Sequence, residues 1–266
     1  MTAVGASARH PQTPRVVMLA LSLLMLAAFS SGMLNAIAGG GAFITFPALL
    51  FAGVPPVSAN VSSTVALFPG QMASAWAYRG EIKDVREVNV GAFVAVSVVG
   101  GIIGGILLLT TPDRAFAGLV PWLLLFATTV FAVGNFMPGL AGRLKLSGPG
   151  VLFVQFLISV YGGYFGGGIG FLMLAALTLF GMRDIHAMNG LRILLAALMN
   201  GAAVVAFCLS GSVSWTETGV MAVSAVAGGY AGALGAKRVS RSVLKWVVVV
   251  IGVVMTVYFF TKGAGA

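Results

Sequence analysis

Long apolar runs separated by short polar breaks make up almost the whole chain. No Asp, Glu, Lys or Arg occurs between Arg15 and Arg79. A membrane-crossing helix needs about 20 apolar residues, so this stretch holds two full helices and a shorter one. Hydrophobic runs in the remainder extend the prediction to ten helical elements, two of them too short to span comfortably. They are Val16–Ala38, Ala42–Ala52, Ser58–Tyr78, Val88–Thr110, Ala115–Met137, Gly150–Phe165, Phe171–Phe180, Ala187–Leu209, Thr218–Ala236 and Val243–Thr261.

Composition places these helices in a membrane. Of the 266 residues, 59% are hydrophobic and only 8% are charged, and the mean hydropathy is +1.04. Soluble domains carry about 25% charged residues, so a soluble domain is excluded. The net charge of +9 is spread over the breaks between apolar runs, where basic residues fix membrane orientation. We therefore expect an all-α integral membrane protein with the lipid bilayer and a small solute as partners, and no nucleic acid.

The second half of the chain repeats the first at an offset of 128 positions. Gly40 falls on Gly168, Gly53 on Gly181 and Gly100 on Gly228. Such internal repeats are common in secondary transporters. The sequence predicts a tail (1–15), a first membrane repeat (16–137), a linker (138–148) and a second membrane repeat (149–262). Each repeat is expected to be a broken helical hairpin, with one long and one short helix, followed by three transmembrane helices.

Basic residues in the loops predict the orientation. If each short helix returns to the side from which its hairpin began, ten Lys and Arg residues share one side and four share the other. The more basic side is expected to be cytoplasmic, with both termini outside. Each repeat then crosses an odd number of times, so the two repeats are inverted. Arg9 and Arg15 oppose this orientation, because they flank the first helix on the outer side.

Three consecutive glycines interrupt each hairpin. Gly39–Gly41 and Gly166–Gly168 lie in the middle of uncharged stretches, where each glycine costs a helix about 1 kcal/mol relative to alanine. Broken backbone at membrane depth is tolerated only when it is buried in protein or lines a wet cavity. A helix that begins after the break, at Ala42 or Phe171, would direct free N–H groups at that cavity, which suits an anion. Alternatively, the glycines only permit close helix packing.

Two further glycine runs favour packing. Gly100–Gly105 and Gly228–Gly232 lie inside apolar helices and contain small residues at four-residue spacing. Small residues at this spacing let helix backbones approach closely in membranes. We expect these runs to form helix–helix contacts.

Polar residues recur on the helix after each hairpin. Asn60 and Gln71 are eleven positions apart, as are Asn189 and Asn200. One extra residue in the second half brings Asn60 onto Asn189 and Gln71 onto Asn200. Because eleven residues make three helical turns, each pair shares a face. Arg192 lies one turn from Asn189 and is the ionisable residue placed well inside an apolar run. An intramembrane arginine is costly and indicates a functional site, and its guanidinium matches oxyanions in a bidentate way. Alternatively, Arg192 snorkels to the cytoplasmic interface.

The chemistry of an enzyme is missing from the sequence. The two histidines, His10 and His186, do not cluster, and every Asp and Glu lies in a loop or at a helix end. We therefore expect no enzymatic activity, no metal and no cofactor. Ion coupling, if any, would use His186 or protonation of the transported anion itself. The single cysteine, Cys208, is expected to be a small buried apolar residue.

These motifs resemble the sulfite exporter TauE/SafE family over about Ala28 to Phe259. The resemblance is carried by the duplicated Gly-Gly-Gly motif, Gly53, Pro55, Ala59-Asn60-x-x-Ser63, Tyr164-Phe165-Gly166-Gly167-Gly168-Ile169-Gly170-Phe171, Asn189-x-x-Arg192, Asn200 and Gly211-x-Val213-x-Trp215. It implies a multi-pass transporter of the bacterial inner membrane that exports sulfite or small organosulfonates such as sulfoacetate. The first repeat departs from the second, because Ser63 or Thr64 stands where the second repeat has Arg192.

We expect the anion to bind near the midplane, between the two repeats. The candidate substrate-binding residues are Arg192, Asn189, Asn60, Ser63, Gly40, Gly41, Gly167, Gly168, Gln71, Asn200 and Tyr164. Two other functions remain open at this point. The same architecture would serve an anion channel, or a membrane scaffold or sensor that transports nothing. The sequence leaves the particular anion and the oligomeric state open.

Overall fold

The computed structural model describes residues 14–37, 40–80, 88–136, 148–182, 184–235 and 241–262, and this part of the chain is helical without a strand. The helices are α1 (Pro14–Ile37), α2 (Ala42–Phe51), α3 (Pro56–Ala77), α4 (Val90–Thr110), α5 (Asp113–Phe136), α6 (Gly148–Tyr164), α7 (Ile169–Leu179), α8 (Ile185–Leu209), α9 (Trp215–Gly235) and α10 (Arg241–Lys262). The ten predicted elements are confirmed, each boundary to within about one turn. Of the predicted linker 138–148, residues 138–147 lie outside the described residues, and Gly148 begins α6.

Local chemistry explains where individual helices begin. Pro56 opens α3, where its missing N–H costs nothing because the first-turn donors have no intrahelical acceptor. Asn89 precedes α4, and its side-chain oxygen accepts a hydrogen bond from the Ala92 N–H at 3.0 Å. This cap places the start of α4 two residues after the predicted Val88.

The helices are those of a multi-pass membrane protein. Four of them are long and apolar enough to cross a membrane, judged by length and composition over the described residues: Met18–Asn35, Val90–Thr110, Asp113–Val130 and Ala187–Leu209. Large apolar side chains point away from the bundle, among them Trp76, Leu209 and Val223. Contact with lipid tails accounts for so many exposed apolar side chains, which water would penalise.

Glycines bring two helix pairs into close contact, as the sequence predicts. α4 packs on α6, and α1 packs on α9. A Cβ added at Gly104 would lie 2.7 Å from the Tyr164 backbone nitrogen, and one added at Gly232 would lie 2.7 Å from Met33 Cα. Real Cβ atoms do not approach this closely, so only glycine allows the two backbones to meet there.

Most of the large interfaces join the two halves of the chain. α3 packs on α8 and α9, α4 packs on α8, and α5 packs on α10. The short helix α2 contacts α1, α3 and α10, whereas α7 contacts α5, α6 and α8. The two short helices are therefore enclosed by longer ones, and residues from both halves surround them.

The prediction for Cys208 is wrong. Its side chain is exposed on α8, on the outer surface of the bundle. A thiol is apolar enough to face lipid as readily as a core, so its place in an apolar run did not distinguish the two environments.

Candidate functional site

The first helix break lies between α1 and α2. The Gly40 carbonyl accepts from the Phe43 N–H at 3.2 Å, and the Gly41 carbonyl accepts from the Ile44 N–H at 3.0 Å, which closes the first turn of α2. A Cβ at Gly41 would lie 2.5 Å from Ser31 Oγ on α1. Glycine is therefore required here for the return of the chain along α1. Gly39 lies outside the described residues.

The second break, between α6 and α7, uses left-handed backbone. Gly166 has φ +76° and Gly168 has φ +72°, a region that side-chain-bearing residues rarely adopt. Between them, the Gly167 carbonyl accepts a hydrogen bond from the Tyr161 hydroxyl at 3.0 Å. A Cβ at Gly167 would lie 2.6 Å from the Phe165 ring. Each glycine of this break thus has its own backbone or packing requirement.

A cavity beside the breaks contains the buried arginine. Arg192 is only 4% exposed, and it lines a cavity between α1, α3, α7 and α8. The other residues lining this cavity are Asn35, Gln71, Ser74, Ile169, Gly170, Ile193 and Ala196. Two smaller cavities share Asn35 with it, and one of them is also lined by Gly41, Thr64, Gly166 and Asn200. We call these three adjoining spaces the central cavity.

The electrostatics of the central cavity favour an anion. Its lining includes Gly41 and Ala42 at the start of α2, and Ile169 and Gly170 at the start of α7. The first N–H groups of a helix lack intrahelical acceptors and carry a partial positive charge. The Arg192 guanidinium adds a full positive charge, and no Asp or Glu is among the described residues that line the cavity.

Gln71 and Asn200 meet across the interface of the two halves. The Asn200 amide Nδ2 donates to Gln71 Oε1 at 2.8 Å, which joins α8 to α3. Asn200 is 5% exposed, and its carbonyl Oδ1 has no hydrogen-bond partner within the described part of the chain. The two residues that the repeat pattern paired are therefore in direct contact at the central cavity.

Other predicted site residues are occupied by structural hydrogen bonds. The Asn60 amide Nδ2 donates to the Tyr164 carbonyl at 2.9 Å. Ser63 is 1% exposed, and its Oγ lies 2.6 Å from Thr45 Oγ1 on α2. The Tyr164 hydroxyl is 3.4 Å from Thr111 Oγ1, and its ring packs edge-to-face on Phe116 with centroids 5.6 Å apart.

Four of the predicted residues line the central cavity, and a fifth lies directly beside it. Arg192, Gln71, Asn200 and Gly41 line the central cavity, whereas Gly168 ends the second break immediately before Ile169, which lines it. Gly40 is buried next to Gly41. Asn189 is half-buried and is not among the lining residues described above.

Three polar lining residues were missed by the sequence analysis. Asn35, Thr64 and Ser74 all face the central cavity. Asn35 lies within a long uncharged run, shortly before the first break, which is the signal that could have identified it. Its position corresponds to Gly163 in the second half, so the repeat comparison did not draw attention to it.

A buried arginine beside two helix breaks, inside a bundle of apolar helices, defines a polytopic membrane protein of the transporter class. The chain belongs to the sulfite exporter TauE/SafE family, whose sequence profile matches residues 24–259. The expected family resemblance is thereby confirmed.

Curated relatives carry transporter names. The chain is 28% identical to the probable membrane transporter protein ORF9 of Sinorhizobium sp., over 89% of this chain and 91% of that protein. It is 29% identical to a probable membrane transporter protein of Haemophilus influenzae, over 89% and 92%. The probable membrane transporter protein YfcA of Escherichia coli K12 is 26% identical over 90% of this chain and 88% of its own length. No solved structure matches the chain.

Proposed function

We propose that this protein is a secondary transporter that exports small sulfur-containing anions, such as sulfite or organosulfonates including sulfoacetate, across the bacterial inner membrane. The central cavity carries this proposal. Its lining comes from both halves of the chain, and it combines Arg192 with the amino ends of α2 and α7. Guanidinium and backbone N–H groups are the donors that oxyanions prefer.

Two inverted repeats account for the way the helices pack. If α1–α5 corresponds to α6–α10, then exchanging the halves converts the α1–α9 contact into the α6–α4 contact. It also converts α4–α8 into α9–α3, and it leaves α3–α8 and α5–α10 unchanged. A pseudo-two-fold axis between α3 and α8 would give this pattern, and inverted repeats related by such an axis support alternating access.

We propose that an aromatic cluster closes the path from the central cavity to one side of the membrane. Phe46 and Phe165 pack edge-to-face with ring centroids 5.7 Å apart, and Phe116 lies 6.2 Å from Phe46. All three rings are at most 3% exposed. Asn60 on α3 contacts Tyr164, next to Phe165, whereas Gln71 lies eleven residues along α3, about 16 Å further at the helical rise. The aromatic cluster therefore lies near one end of α3. Arg192 and Gln71 line the cavity near the other end of this helix.

Purified protein in proteoliposomes tests the proposal. Vesicles loaded with unlabelled sulfite should accumulate labelled sulfite against its own gradient, and uptake should saturate with concentration. An anion channel would instead pass a sulfite current that does not saturate in this way. A scaffold or sensor would show neither. Sulfoacetate, taurine and sulfate as competitors would rank the substrates, and no competition or counterflow with any of them would refute the proposal.

A further inference from the structure

One buried acceptor in the central cavity is unexpected for a site that binds an anion. Asn200 Oδ1 lies inside the bundle without a hydrogen-bond partner among the described residues, on a residue that lines the cavity together with Gln71 and Thr64. An unpartnered buried carbonyl is costly. Facing a fully deprotonated oxyanion, it would also repel the anion's oxygens, because both are acceptors.

Because Asn200 is hydrogen-bonded to Gln71, the pair always has one carbonyl that this bond leaves free. The two amides share one N–H···O bond of 2.8 Å. Reversing both amides keeps that bond and again leaves one carbonyl and one amino group facing outward from the pair. In either orientation the pair offers a ligand one acceptor as well as one donor.

Neighbouring hydroxyls of the cavity add acceptors rather than donors. Thr64 Oγ1 donates its proton to the Asn60 carbonyl at 3.0 Å, and Ser74 Oγ donates to the Gly70 carbonyl at 2.9 Å. A hydroxyl has a single proton to donate, so neither hydroxyl has a proton left for a ligand and each can only accept. The lining is therefore mixed: the Arg192 guanidinium and helix amino ends donate, whereas Asn200, Thr64 and Ser74 accept.

We propose that the central cavity selects an oxyanion that keeps one proton, such as hydrogensulfite, over the fully deprotonated dianion. The anion's oxygens would face Arg192 and the amino ends of α2 and α7, and its remaining O–H would donate to the carbonyl of the Gln71–Asn200 pair. This inference rests on the proposed function and specifies the chemical form of its substrate. Its consequence is that each transported anion carries one acid equivalent across the membrane without any titratable carboxylate in the cavity.

The charged and titratable groups around the pair do not supply such a proton. Arg192, on the same helix as Asn200, is a guanidinium, and Tyr78 at the end of α3 interacts with it electrostatically. The described residues of α1, α2 and α7 that line the cavity carry no ionisable side chain. The anion itself is thus the group in the cavity whose protonation changes near neutral pH.

Binding to the purified full-length protein as a function of pH tests this proposal. Isothermal titration would be performed with sulfite and with methanesulfonate, a monoanion that has no proton to donate. As the pH rises past the point where hydrogensulfite loses its proton, the apparent sulfite affinity should fall by about tenfold per pH unit. Methanesulfonate should bind more weakly and show no such slope. A sulfite affinity that stays flat or rises with pH would overturn the proposal.

Asn200→Leu removes the acceptor while keeping the number and branching of the side-chain heavy atoms. We expect it to weaken sulfite binding at low pH by about 3- to 10-fold, the range for one neutral hydrogen bond, and to weaken methanesulfonate binding less. Thr128→Val is the matched control, because Thr128 Oγ1 is also buried without a partner in the described structure but lies against Gly252 on α10. It should bind both anions as the parent does.

The outcomes separate this inference from the proposed function. If the parent protein binds neither sulfite nor methanesulfonate, the proposed function fails. If it binds sulfite equally well in both protonation states, or if Asn200→Leu weakens both ligands alike, only the proton requirement fails. Should Asn200→Leu not fold, the pH profile of the parent protein alone decides the question.

Discussion

The Asn60 amide donates a 2.9 Å hydrogen bond to the backbone carbonyl of Tyr164. Tyr164 is the last residue of α6, where carbonyls have no intrahelical partner, and Asn60 is 2% exposed on α3 of the other half. The bond therefore supplies the donor that this carbonyl lacks at the second helix break, and it anchors that break to α3. It also explains why a polar residue is buried one turn into an apolar helix.

Replacing Asn60 by leucine should destabilise the fold. The substitution leaves the Tyr164 carbonyl without its donor, and interhelical hydrogen bonds in membrane proteins contribute about 0.6–1.7 kcal/mol. Thermal melting of the purified variant should show a lower Tm. Asn189→Leu, the same substitution at the corresponding position of the second half, is the control, because Asn189 is half-buried. An equal loss in both variants would contradict the anchoring role.

The effect of replacing glycine at the second break can be predicted by comparing Gly168 with Gly181. Gly168→Ala forces a side chain into left-handed backbone, and its Cβ would lie 3.1 Å from the Ala127 Cβ on α5. Gly181→Ala, at the other end of α7, has φ +92° but no neighbour within 4 Å. Left-handed backbone alone costs a residue about 1–2 kcal/mol, so Gly181→Ala measures the strain without the clash.

We expect Gly168→Ala to lower the Tm more than Gly181→Ala and to reduce sulfite counterflow per folded molecule. Gly181→Ala should lower the Tm and leave counterflow per folded molecule close to that of the parent. Equal counterflow in the two variants would show that the shape of the second break does not matter for transport.

Hydrophobic pattern was sufficient to predict the helices, because burial in lipid leaves the backbone no alternative to intrahelical hydrogen bonds. It predicted α2 and α7 as short helices because each follows a glycine break and has too few apolar residues to span a membrane. It also put Asn189, Arg192 and Asn200 on nearly one face of a helix, and of these Arg192 and Asn200 line the central cavity. These residues lie in regular helices, where spacing along the chain determines direction.

The spacing of residues along the chain did not predict which residue each polar side chain contacts. Ser63 carries the same polar pattern as Thr64, yet Ser63 pairs with Thr45 on α2 and Thr64 faces the central cavity. Which of two adjacent residues turns inward depends on how α2 is rotated against α3. Asn35 was overlooked for a related reason, because its role depends on the approach of α3 and α7 to the end of α1.

Cysteine labelling tests the predicted orientation. After Cys208→Ser, single cysteines would be introduced by Ser212→Cys, between α8 and α9, and by Gly80→Cys, just after α3, where added atoms meet no neighbour within 4 Å. A membrane-impermeant thiol reagent should label Ser212→Cys in intact cells and label Gly80→Cys only after permeabilisation, because Arg79 and its neighbours belong to the basic, cytoplasmic side. The opposite pattern would invert the topology.

Arg192 should contribute more to ligand binding than any other side chain of the central cavity. Charge-assisted hydrogen bonds contribute about 1.5–3 kcal/mol, so Arg192→Gln should weaken sulfite binding roughly 10- to 150-fold. Arg192→Lys should be intermediate, because it keeps the charge and loses the planar two-pronged geometry. Isothermal titration measures both affinities, and the Tm without ligand verifies that each variant is folded.

The alternative placement of Arg192, with its head group at the membrane interface, makes the reverse prediction. An arginine that only snorkels would leave sulfite affinity unchanged on replacement and would alter insertion or stability instead. Its 4% exposure, within a cavity shared with Gln71 and Ser74, favours the binding role. Parent-like sulfite affinity in folded Arg192→Gln would remove this residue from the site, and the helix amino ends of α2 and α7 would then have to hold the anion alone.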